Sequence, residues 1–260
     1  SETEDLQKKL ADKTGKVVNE NLLKTTTDII KKHFNEKGYL YTDVNITQIK
    51  DTAEANNVIL DVNVNKNDRV KVNAINFEGN KEFKDKQLKK YLKKTKERAV
   101  YKVFGPGKFL MDKYEEDKIA LVSKMHGKGY RDAEIVSDTI IRNPNNSINI
   151  GIKVYEGPKY YFGNVTFAGN AKYPTKVLNS ILAIKKGDVF SEEELNKRLS
   201  GPTANGQDIS SLYLDAGYLT YQGDPVQTKI YGDTVDVEIR MYEGPQYTVN
   251  KIILKGNELT

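Results

Sequence analysis

The chain has 260 residues, no cysteine, two histidines and a net charge of +5. Disulfides and thiolate metal centres are excluded, and the isolated His33 and His126 are too few for a zinc site. No run of about eighteen apolar residues occurs, so no segment reads as a membrane-spanning helix, and no basic-then-apolar start reads as a signal peptide.

The length suggests about two domains, and the charge is spread unevenly: −1 for residues 1–69, +7 for 70–157, −2 for 158–244 and +1 for 245–260. In chain order, a helical stretch carries Leu22, Ile29, Ile30 and Phe34 and ends at Gly38-Tyr39. A strand over 41–50 follows, and then one alternating Val58, Leu60, Val62 and Val64 with Asp61 and Asn63. That period of two marks a sheet with one buried and one wet face. Lys66-Asn67-Asp68 leads to a strand carrying Val70, Val72, Ile75 and Phe77, closed by Gly79-Asn80.

The second passage repeats the first. A lysine-rich helix is expected within 81–102, where Lys89, Lys90, Lys93 and Lys94 form a candidate basic face for an acidic partner or lipid head groups; a solvated helix face is the bland reading. A longer connection, Val103-Phe104-Gly105-Pro106-Gly107-Lys108-Phe109, precedes a helix with Tyr114, Ile119, Leu121, Val122 and Met125. Gly129-Tyr130, a strand over 133–142, and a strand with Ile148, Ile150, Ile152 and Val154 follow, ending in Glu156-Gly157-Pro158.

The third passage opens with Tyr160, Phe162, Val165 and Phe167 before Gly169-Asn170. A helix over 174–182 turns at Lys186-Gly187-Asp188, and Ser191 with Glu194 forms a capping box for the next helix. Glu192, Glu193 and Glu194 read as first-turn carboxylates favoured by the helix dipole, not as acid-base catalysts. The run 201–206, with Gly201 and Pro202, breaks that helix. Gly217-Tyr218, a strand over 220–230, and a strand with Val235, Val237, Ile239 and Met241 lead to Glu243-Gly244-Pro245. A last first-strand pattern, Tyr247, Val249, Ile252 and Leu254, ends at Gly256-Asn257.

A fixed period of about ninety residues means one small unit repeated head to tail. Each Gly-Tyr calls for a left-handed helix C-cap. The even spacing of every first strand slips by one between its second and third apolar positions, which predicts a β-bulge. Glu156, Gly157, Pro158, Glu243, Gly244 and Pro245 form short inter-domain linkers that restrict motion.

The order strand-helix-helix-strand-strand resembles the polypeptide-transport-associated (POTRA) domain. The resemblance is carried by Phe167-Ala168-Gly169-Asn170, Lys186-Gly187-Asp188-Val189-Phe190, Gly217-Tyr218 and Glu243-Gly244-Pro245. It implies an α+β fold of tandem units, each a three-stranded mixed sheet covered on one face by two helices. The units would be 1–68 without a first strand, 69–157, 158–244, and the first strand of another in 245–260. Tandem units are similar to the periplasmic arm of the BamA family, whose full-length members carry a membrane β-barrel. The expected role is a periplasmic scaffold of outer-membrane protein assembly. Its partners would be unfolded outer-membrane protein precursors and accessory assembly lipoproteins, with no enzyme activity and no cofactor.

The resemblance also places each unit's second strand at a sheet edge, where an extended peptide can add by β-augmentation. Among the edges 41–50, 133–142 and 220–230, the middle one lacks glycine and proline, whereas Gly223 and Pro225 interrupt the last. The candidate docking residues are Ala133, Glu134, Ile135, Val136, Ser137, Asp138, Thr139, Ile140 and Ile141. A tandem KH-like nucleic-acid module using the basic 70–157 unit is the main alternative. It shares the element order but needs a Gly-x-x-Gly loop, where the chain offers Gly105-Pro106-Gly107. No Walker-type loop or Gly-x-Ser-x-Gly elbow supports an enzyme.

Overall fold

A computed structural model of the chain describes residues 2–54, 56–98, 108–201, 208–253 and 255–256. Their elements are α1 (Glu2–Leu10), a 3-10 turn (Ala11–Lys13), α2 (Glu20–Asn35), β1 (Asp43–Lys50), β2 (Val58–Asn65) and β3 (Lys71–Glu78). Then come α3 (Asp85–Tyr91), α4 (Met111–His126), β4 (Glu134–Arg142), β5 (Ser147–Tyr155) and β6 (Tyr161–Ala168). The chain finishes with α5 (Thr175–Leu182), α6 (Glu192–Ser200), α7 (Ile209–Asp215), β7 (Gln222–Tyr231) and β8 (Thr234–Tyr242). They fall into two compact units, one of Ser1–Val122 with Glu134–Tyr155, the other of Ser123–Ala133 with Glu156–Thr260.

The first unit holds a two-stranded antiparallel sheet, β1-β2, and a three-stranded sheet ordered β3-β5-β4. In the latter β3 runs parallel to β5 and β4 antiparallel to it. The alternation read in the sequence decides the faces: Ile148, Ile150, Ile152 and Val154 of β5 are buried, with Val72, Ile75, Leu88, Tyr114 and Leu121 also in the core. Side chains of this size contribute about 1.5–3 kcal/mol each when fully buried. The expected bulge lies between Val72 and Ala74, with Asn73 as the extra residue. In the two-stranded sheet, no strand pairs with the side of β2 opposite β1 among the described residues. Ile59, on the same face of β2 as Asp61 and Asn63, is 52% exposed.

The second unit repeats the mixed sheet as β6-β8-β7, again with a bulge, here between Phe162 and Val165. Its core gathers Phe162, Leu178, Leu182, Phe190, Leu195, Leu199, Tyr213, Val235, Val237 and Ile239. Ser191 Oγ accepts from the Glu194 N–H (3.2 Å), capping α6, while the Glu194 carboxylate turns to Arg198 (2.8 Å). The cap is therefore one-sided. Asp208 caps α7 by accepting from the Ser211 N–H (2.9 Å). Residues 247–253 carry no assigned strand and leave Val249 and Ile252 exposed.

Each Gly-Tyr closes its helix in a Schellman arrangement. The Tyr39, Tyr130 and Tyr218 N–H groups donate to Phe34, Met125 and Tyr213 carbonyls, and the preceding glycine N–H groups donate to Asn35, His126 and Leu214. Gly38, Gly129 and Gly217 all have φ near +90°. Each Gly-Asn has a second reason for glycine. A Cβ on Gly79 would stand 2.2 Å from the Val154 carbonyl oxygen, and one on Gly169 2.2 Å from that of Met241. The following asparagine side chain donates to the Phe83 or Tyr173 carbonyl and sets the start of the next helix.

Three expectations need correction or limits. The lysine-rich helix ends at Tyr91, because the buried Asp117 carboxylate draws the N–H groups of Lys93, Lys94 and Thr95 into an irregular turn. Ile119 does not join the covering face of α4 but is 73% exposed. The connection 103–109 and the breaker run 201–206 lie mostly outside the described residues. Within the first, Phe109 is buried and donates to the Val70 carbonyl (2.8 Å).

Candidate functional site: sheet edges and junctions

On β4 the inward residues are Ile135, Asp138 and Ile140, and the outward ones Val136, Ser137, Thr139 and Ile141. Ala133 sits just before the strand, buried, its carbonyl against His126 Nε2 (2.9 Å). Asp138 is tied to Lys118 of α4 (3.3 Å), whose ammonium also lies 5.0 Å from the Tyr114 ring centroid. Burial disfavours the Lys118 charge, yet Glu115 and Asp138 together hold its pKa above the usual lysine value. The side of β4 away from β5 has no strand partner among the described residues, and Val136 and Ile141 there are 54% and 61% exposed.

Backbone geometry separates the three edges in a way that composition did not. The β4-β5 register slips between Ile135 and Ser137, and the β7-β8 register between Gln227 and Lys229. In contrast, β1 pairs with β2 without a shift from Asp43 to Lys50. A bulge twists an edge and interrupts its run of donors and acceptors. Glycine and proline content cannot reveal this, since a bulge depends on how two strands meet. Pro225 and Gly223 of β7 stay in register, opposite Ile239 and Met241.

The junctions share one main-chain hydrogen bond. Val70, Tyr160 and Tyr247 donate their N–H groups to the carbonyls of Gly38 (3.0 Å), Gly129 (2.8 Å) and Gly217 (2.8 Å). Of the linker residues, Gly157 and Gly244 have φ of 66° and 69°. Glu156 is buried, and Glu243 accepts from the Tyr213 hydroxyl (2.7 Å) and the Lys172 N–H (2.9 Å). Burial, and then the Glu243 charge, push the Tyr213 phenol well up. At Gly129 the Tyr160 hydroxyl donates to Asp132, which also pairs with Arg131, and Arg131 reaches Gln227 (3.1 Å). Sequence reasoning missed Asp117 and Asp132 and named Glu243 only as a linker residue, because their partners lie 22 to 30 residues away.

The basic residues are not one uniform face. Lys89 pairs with Glu97 (2.8 Å) and Lys94 with Glu116, whereas Lys90 and Lys93 have no ion-pair partner among the described residues. Burial raises the Glu97 pKa, but Lys89 and the Ile75 N–H outweigh it and hold the carboxyl low. Lys113 and Lys94 hold Glu116 down at about 2. No group of three or more His, Cys, Asp or Glu able to hold a metal ion occurs among the described residues.

Comparison with known proteins bears on this geometry. The family model described as POTRA, surface antigen variable number repeat, matches residues 1–67, 70–157 and 160–244. A Treponema pallidum (strain Nichols) protein, named provisionally as an outer membrane protein assembly factor, is 26% identical over 98% of this chain and 30% of its own length. The outer membrane protein assembly factor BamA of Nitratidesulfovibrio vulgaris is 23% identical over 99% of this chain and 32% of its own. The chain thus spans about a third of the length of these curated relatives. The crystal structure of Haemophilus influenzae BamA POTRA3-5 shares the fold, with a TM-score of 0.50, 18% identity, and 74% and 73% of the two chains covered. Three family matches in tandem, the second and third of them on mixed three-stranded sheets of one repeated topology, establish that the chain belongs to the POTRA family, as tandem POTRA domains.

Proposed function

We propose that this chain is a periplasmic scaffold arm in outer-membrane protein assembly, holding unfolded β-barrel precursors by strand addition and docking accessory assembly lipoproteins. The units involved are 1–68, 69–157 and 158–244. The observation that carries the reading is the sheet order β3-β5-β4, which among the described residues leaves β4 with an open backbone edge, regular from Ser137 to Arg142 beyond its bulge and bearing the exposed Val136 and Ile141. Main-chain hydrogen bonds along such an edge recognise extended peptide with little regard to its sequence, which suits a binder of many precursors. The names of the relatives support the same role, and nothing in it requires bond-making chemistry.

Titration of the isotope-labelled chain with a barrel-precursor peptide is expected to shift the amides of residues 133–141 first. Val136→Lys and Ile141→Lys place gatekeeper charges on the edge and should weaken that binding without lowering the urea midpoint. Shifts confined to the helices, or undiminished binding to both variants, would overturn the assignment to β4.

A further inference from the structure

A cleft of about 620 Å³ opens in the first unit where the chain passes from β2 into β3, beside the β4-β5 hairpin tip. Arg69, Lys71 and Arg98 line it together with one carboxylate, Asp68, leaving two positive charges in excess. None of the three cations has an ion-pair partner among the described residues. The nearby Glu97 carboxylate is already engaged by the Ile75 N–H (2.7 Å) and Lys89 (2.8 Å).

The cleft is also preorganised. The Arg69 guanidinium lies 5.2 Å from the Tyr39 ring centroid, and Lys66 lies 5.2 Å from the same centroid. The Arg98 N–H donates to the Val72 carbonyl (2.8 Å), which ties its backbone to the start of β3. At the hairpin tip the Asn145 Oδ1 accepts from both the Ser147 N–H (3.2 Å) and hydroxyl (2.6 Å). The main-chain donor fixes which way that amide points, so the Asn145 NH₂, which has no partner among the described residues, is left as a neutral donor pair beside the cations. Asn146 is held at φ 56° and donates to the Asp68 carbonyl (3.1 Å), closing the tip against the connecting segment.

Two forked guanidinium groups, one ammonium and one neutral amide match the oxygens of a phosphate group. A single carboxylate would leave one of the two excess charges unanswered, and a dianion answers both. We propose that this cleft binds a phosphate monoester, either a free phosphate ester or a lipid head group. The site is separate from the β4 edge and does not depend on the strand-addition reading.

The experiment titrates the labelled whole chain with glycerol 3-phosphate, and with acetate, at constant ionic strength. In parallel the chain is sedimented with vesicles of phosphatidylcholine, with and without phosphatidic acid. Saturable shifts at Arg69, Lys71, Asn145 and Ser147 are expected with glycerol 3-phosphate and not with acetate. Arg98→Gln and Lys71→Gln, both at exposed positions, should each weaken binding at least about tenfold, the equivalent of about 1.4 kcal/mol, from the loss of a charge-assisted hydrogen bond. Lys176→Gln, at an exposed position on α5 of the second unit, should leave it unchanged. Binding of the free ester identifies a soluble ligand, and binding only to phosphatidic acid vesicles identifies a head group. Equal response to acetate, equal loss in Lys176→Gln, or neither a saturable shift with the ester nor co-sedimentation with the phosphatidic acid vesicles would overturn the proposal. A binding loss in Arg98→Gln counts only if its urea midpoint matches the parent.

Discussion

Gly79 and Gly187 have nearly the same φ, 87° and 90°, but different surroundings. A methyl group at Gly187 would meet nothing within 4 Å, whereas one at Gly79 would run into the Val154 carbonyl. Gly187→Ala is expected to cost about 1–2 kcal/mol from the left-handed backbone alone, and Gly79→Ala roughly 3 kcal/mol or more. Urea unfolding of the two variants measures the difference. His33 offers a pH test at the same scale. It is buried with Lys9 Nζ 3.1 Å from Nδ1 and Lys37 Nζ 2.9 Å from Nε2, while Glu2 and Glu36 stand behind the lysines. Burial first, and then Lys37 and Lys9, lower its pKa below 6.5. The unfolded chain then binds more protons than the folded one, so this contribution is present above the unfolded value and lost as pH falls through the folded one. Thermal stability should drop between pH 7.5 and 5.5, and His33→Gln should flatten that drop. Acidic-range losses from Glu2, whose pKa is also lowered from 4.5, belong to a lower window.

At the scale of elements, Asp117 shows how one side chain can end a helix on a neighbouring segment. Its carboxylate takes three consecutive N–H groups that would otherwise have no partner after α3 stops at Tyr91. Asp117→Ala should destabilise by about 3 kcal/mol, because buried N–H groups left without acceptors each carry a desolvation cost of about 1–3 kcal/mol. A urea midpoint unchanged from the parent would refute that role. Nothing in the local run Lys93-Lys94-Thr95-Lys96 signals this, since lysines favour helix and the acceptor lies 22 residues on. The bulges of β3 and β6, by contrast, were legible because the slip in apolar spacing is written within one strand. The bulge of β4 was not, since its outward residues follow no pattern that burial imposes. The same division explains why the Gly-Tyr caps could be read directly, while the cationic cleft, assembled from Arg69, Arg98 and Asn145, could not.

For the whole molecule, repetition makes each sheet comparable with the others, and the comparison isolates β2. Where β5 has β3 beside it and β8 has β6, β2 has no strand on its other flank along Val58–Asn65 among the described residues. The same chain displays, in 247–253, apolar residues of the kind that fill that position elsewhere, and they lie unclaimed with Val249 80% exposed. Among the described residues, each copy of this 260-residue polypeptide thus offers one unpaired strand and one unpaired apolar segment from different parts of its sequence. Exchange between copies would be heterologous and open-ended, giving chains of molecules rather than closed dimers. Weight-average mass in sedimentation should therefore rise continuously with concentration. Ile59→Lys in that strand, or Ile252→Lys in that segment, should each return the protein to a monomer, and a mixture of the two variants should stop growing at pairs.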